Sequence, residues 1–107
     1  MLKQIFILKD NEIIYEQIFA KAISKEILNE FLKNLKRDLE FGATDDLGDN
    51  IIFKHKIFYI LDKEKDLMII LVTGIADEVD LVFNELKKLK KDFSDFYSMG
   101  KPSAFQP

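Results

Sequence analysis

The order of the hydrophobic segments constrains this chain most: two short apolar runs around Asp10-Asn11, a stretch of helical period, three further apolar runs, and a second helical stretch. Read as strand-strand-helix-strand-strand-strand-helix, this order leaves few compact arrangements, because every strand needs a pairing partner and every helix a surface for its apolar stripe. The chain has 107 residues, 48% of them hydrophobic, which is material for one domain with a packed core.

Ile5-Phe6-Ile7-Leu8 is a continuous apolar run, the pattern of a strand covered on both faces, and is expected over Gln4 to Leu8. Lys9-Asp10-Asn11-Glu12 supplies turn residues, and Ile13 to Phe19 completes an antiparallel hairpin. Ser24 is positioned to cap a helix from Lys25 to about Phe41, in which Ile27, Leu28, Phe31, Leu32, Leu35 and Leu39 form one stripe. Gly42 to Asn50, with two Gly and three Asp, reads as an exposed, mobile connection.

Three strands are then expected in a meander, Ile51 to Phe53, Lys56 to Asp62 and Leu67 to Thr73, with turns at Lys54-His55 and Lys63 to Asp66. Leu67 to Val72 is as uniformly apolar as the first strand, which places these two side by side at the sheet centre. Asp77 is a suitable cap for a second helix whose apolar positions are Val79, Val82, Phe83, Leu86, Leu89 and Phe93. The residues from Ser98 to Pro107, with Gly100, Pro102 and Pro107, read as a flexible tail behind a single domain over 1–97. The compact solution is an α/β (α+β) sandwich: one five-stranded antiparallel sheet in the order 2-1-5-4-3, with helices on opposite faces.

Composition narrows the function classes. Charged residues make up 33% of the chain, both signs are interspersed and the net charge is -3, which argues against binding DNA or RNA by phosphate neutralisation. With no Cys there is no disulfide framework, thiol nucleophile or cysteine metal site. Met1 to Ile5 lacks the features of a signal peptide, and the apolar run Leu67 to Val72 is far short of the ~20 residues of a spanning helix. A soluble, cytoplasmic protein is expected.

The passage Ile51-Ile52-Phe53-Lys54-His55-Lys56-Ile57-Phe58-Tyr59-Ile60-Leu61, followed by Leu67 to Val72, resembles the short strand, basic-aromatic strand and apolar strand of clathrin-adaptor small subunits. Asp77 to Leu86 resembles the helix that follows them. Over roughly residues 2 to 97 the chain is similar to longin domains, the profilin-like fold of SNARE N-terminal domains, adaptor small subunits and the signal-recognition-particle receptor. The resemblance implies a non-catalytic protein-interaction module serving a small Ras-like GTPase or a trafficking-type complex. Longins usually add a third helix, which the residues after Tyr97 do not supply. An exposed apolar strip is therefore expected beside the second helix, with Val82, Phe83, Leu86, Leu89, Phe93 and Phe96 as candidates for core or partner interface, including a homodimer.

Two alternatives come with the same resemblance. Roadblock-like homodimeric GTPase regulators begin with a helix ahead of the first hairpin, which Met1-Leu2-Lys3 does not provide. A profilin-like small-ligand sensor needs a cavity against the sheet, lined by Tyr15, Phe58 and Tyr59. The Lys- and Ile-rich composition suits an AT-rich prokaryotic or archaeal genome, where longin-like domains accompany small GTPases.

No constellation in the sequence announces chemistry, and no catalytic residue, cofactor or metal is expected. His55 sits between two lysines in an expected turn, without the positioned partners a general base or ligand needs. Asp45, Asp46 and Asp49 lack the alternation and terminal Glu of a calcium loop. The glycines form no phosphate-binding fingerprint. Lys87, Lys88, Lys90 and Lys91 are candidates for contact with an anionic surface, although a solvated face near a helix C-terminus would carry the same residues.

Overall fold

The computed structural model describes residues 2–10, 12–19, 23–42, 46–52, 55–63, 66–75 and 78–98. Along the chain run β1 (Leu2–Lys9), β2 (Glu12–Ile18), α1 (Lys25–Glu40), β3 (Leu47–Ile52), β4 (His55–Asp62), β5 (Leu67–Gly74) and α2 (Val79–Ser98). The five strands form one sheet in the order β2-β1-β5-β4-β3, every neighbouring pair antiparallel. This is the element order and strand order that the hydrophobic pattern implies. The expected cap at Asp77 and the tail beyond Ser98 lie outside the described residues.

Two separate cores result. Ile5 and Ile7 of β1, Phe58 and Ile60 of β4, and Ile69 and Leu71 of β5 face α2, where Leu86, Leu89 and Phe93 close the layer. The alternate residues Phe6, Leu8, Ile57, Tyr59, Ile70 and Val72 face α1, which contributes Leu28, Phe31 and Leu35. β1 and β5 therefore bury both of their faces, as their uninterrupted apolar sequences require. Burial of each such side chain is worth about 1.5–3 kcal/mol, so these layers carry most of the driving force for folding.

Local chemistry sets where the elements begin and bend. The Ser24 hydroxyl accepts from the Ile27 N–H at 3.2 Å and caps α1. The helix ends at Phe41, whose N–H reaches the Arg37 carbonyl, with Gly42 next in left-handed conformation at φ 67°. Between β1 and β2 the register passes from Ile7 opposite Tyr15 to Leu8 opposite Ile13, leaving Ile14 as a bulge.

Gln4 is the polar residue that joins these parts. It is 1% exposed on β1, with its Oε1 accepting from the Ile23 N–H at 3.1 Å and its Nε2 donating to Glu16 Oε2 at 2.8 Å. One side chain thus links the central strand to the entry of α1 and to the edge strand β2.

β3 starts earlier than its apolar residues indicate. Leu47 to Asn50, expected within a mobile connection, pairs in register with Ile57 to Ile60. An edge strand exposes one of its long sides, so Asp49 and Asn50 remain solvated while their backbones join the ladder. Gly48 lies opposite Tyr59, and a Cβ built there would stand 2.7 Å from the phenol oxygen and 2.9 Å from two ring carbons. The tyrosine ring occupies the space that any side chain at Gly48 would need.

Two substitutions test this framework. Gln4→Leu leaves the Ile23 N–H without its acceptor and is expected to cost about 1–3 kcal/mol, read as a lower urea midpoint with an unchanged slope. Gly48→Ala must displace the buried Tyr59 ring and is expected to cost about 1–3 kcal/mol by overpacking. A urea midpoint equal to that of the parent would show that the ring moves aside freely.

Candidate functional site

The α2 residues singled out in the sequence divide by their position on the helix. Leu86, Leu89 and Phe93 are buried against the sheet, and Val82 and Phe83 are half-buried beside them. Phe83 meets Phe58 edge-on, with ring centroids 5.2 Å apart and planes at 86°. Phe96 belongs to α2, but its side chain lies outside the described residues. Among its described side chains, the large apolar one that α2 turns outward is Leu81, 63% exposed.

The uncovered strip expected beside α2 does not occur over the central strands, where Ile5, Ile7, Phe58, Ile69 and Leu71 are all buried on that face. Among the described residues the 20-residue α2 is the helix packed on that face. That length also alters the reading of the lysines. Lys87, Lys88 and Lys91 are exposed and Lys90 is half-buried, but the helix continues to Ser98 and its last turn holds no basic residue. They stand mid-helix, beyond the reach of the C-terminal dipole.

His55 opens β4 and is not a turn residue; it pairs with Ile52 and Gly74, and its Nδ1 lies 3.3 Å from Lys3 Nζ. The aspartates considered for a cation are not gathered into a site. Asp46 bridges Lys63 at 3.2 Å, Asp49 lies within β3, and Asp45 falls outside the described residues. Among the described residues no cluster of three or more His, Cys, Asp or Glu is arranged to hold a metal ion. Tyr15, Phe58 and Tyr59 do not line one cavity, since Phe58 belongs to the α2 core and Tyr59 to the α1 core.

A concavity among the described residues lies on the α1 face. A cleft of about 390 Å³ opens between the C-terminal half of α1 and the end of the sheet where β4 turns into β5. Leu32 and Leu39 of α1 and Leu61 and Met68 of the sheet supply its apolar walls, and each is only half-buried. Lys36, Glu40, Asp62, Lys63 and Asp66 surround them. Helical geometry explains the opening: Leu28, Phe31 and Leu35 point straight at the sheet, whereas Leu32 and Leu39 lie on the flank of the stripe.

A small extension of the cleft is lined by Leu8, Asp10 and Asp66, where two hairpin ends meet. Lys9 pairs with Leu67 across β1 and β5, so the residue after one and the residue before the other are neighbours. Asp10 and Asp66 both have left-handed backbone, φ 51° and 55°, a conformation that aspartate tolerates in turns. A hydrogen bond that the protonated Asp66 carboxyl donates to Asp10, and then the negative charge of Asp10, hold Asp66 above its ordinary value, with a small contribution from burial, and Lys9 opposes the shift.

Apolar side chains are also exposed along the outer strand. Ile13, Ile14, Ile18 and Phe19 are each more than two-fifths exposed at the β2 edge, with Ile18 at 55%. Glu12 and Glu16 lie on the same strand, and the bulge at Ile14 twists the edge.

Compared with known families and curated proteins, the chain matches no family model and no curated sequence. What the structure establishes is a small α+β fold with a five-stranded antiparallel sheet, compatible with the longin architecture.

The carboxyl pair gives a pH test. A carboxyl whose value is raised on folding stabilises the protein below the unfolded carboxylate range, and that contribution is lost as pH rises through the higher folded value. Asp66→Asn keeps a side chain suited to left-handed backbone and removes the repulsion. Its melting temperature is expected to exceed the parent's at neutral pH, with the difference vanishing on acidification. An equal melting temperature at neutral pH would count against the pairing.

Proposed function

We propose that the chain is a non-catalytic protein-interaction module of longin type, a cytoplasmic scaffold or regulator of a small Ras-like GTPase or of a trafficking-type complex. The observation that supports this reading is the β2-β1-β5-β4-β3 sheet with α1 and α2 on opposite faces. Fold analogy supplies the class of role, and the surface supplies the means. The central strands are filled from both sides, whereas half-buried and exposed apolar groups gather in the α1 cleft and along β2. The buried polar side chains serve the fold itself: Gln4 holds Ile23 and Glu16, and Thr73 Oγ1 donates to the Gly74 carbonyl at 3.1 Å.

Any membrane contact in this role is peripheral, through Lys87, Lys88, Lys90 and Lys91. Among the described residues no helix is long and apolar enough to cross a bilayer.

Affinity capture from native lysate with the full chain as bait, followed by reconstitution with purified components, tests the proposal. A GTPase or coat-type subunit that binds directly, without turnover of any substrate, is the expected result. A stable homodimer with no heterologous partner would favour the roadblock-like alternative. Failure of every captured protein to bind in purified form would sink the interaction reading. On α2 the informative variant is Leu81→Asp rather than Phe83→Asp, because Phe83 packs on Phe58 and its loss would damage the core. The melting temperature of Leu81→Asp is expected to match the parent's.

A further inference from the structure

We draw no further inference here: the strongest candidate, the apolar cleft between the C-terminal half of α1 and the β4–β5 end of the sheet, walled by Leu32, Leu39, Leu61 and Met68, carries nothing because nothing in the structure shows what covers it.

Discussion

Burial of β1 and β5 on both faces is the constraint on which the rest of the structure depends. Adjacent residues such as Ile70 and Leu71 serve different cores, one under α1 and the other under α2. A one-residue slip would exchange the two sets, and in most sheets such a slip is prevented because it would bury polar side chains. Here both sets are apolar, so polarity alone does not select the register of the central pair. That selection falls to other features of the chain.

Three such features stand out in the structure. Asp10 and Asp66 end their strands in left-handed conformation, fixing where each hairpin reverses and which residues face each other behind it. Gln4 has one set of partners, Ile23 and Glu16, and a slipped strand would bury its amide without them. At the opposite edge, Gly48 receives the Tyr59 ring, a fit that one alignment of β3 on β4 provides. Polar and small residues thus specify an arrangement whose stability comes from apolar ones. The close approach of Asp10 and Asp66 is a by-product of this register.

These features also explain what could be read from the amino acids. Period and polarity were enough for the strand order, because Ile5 to Leu8, Ile57 to Leu61 and Leu67 to Val72 are uninterrupted apolar runs, and strands covered on both sides lie inside the sheet. The residues Leu47 to Asn50 concealed a strand, since an edge strand at the surface needs no alternation and Gly-Asp-Asn imitates a turn. Leu86, Leu89 and Phe93 carried the correct period, but periodicity does not distinguish a helix that covers the sheet from one that meets a partner. The cleft was hidden for a related reason. Leu32 and Leu39 belong to the same stripe as Phe31 and Leu35, and their half-exposure depends on where the helix axis crosses the sheet.

That crossing leaves part of the apolar surface beneath α1 half-exposed. Larger residues on the flank of α1 would close the cleft and add buried area, so stability alone gives no reason to leave about 390 Å³ open. Met68, which lines it, is an unbranched thioether able to adopt several shapes against its neighbours.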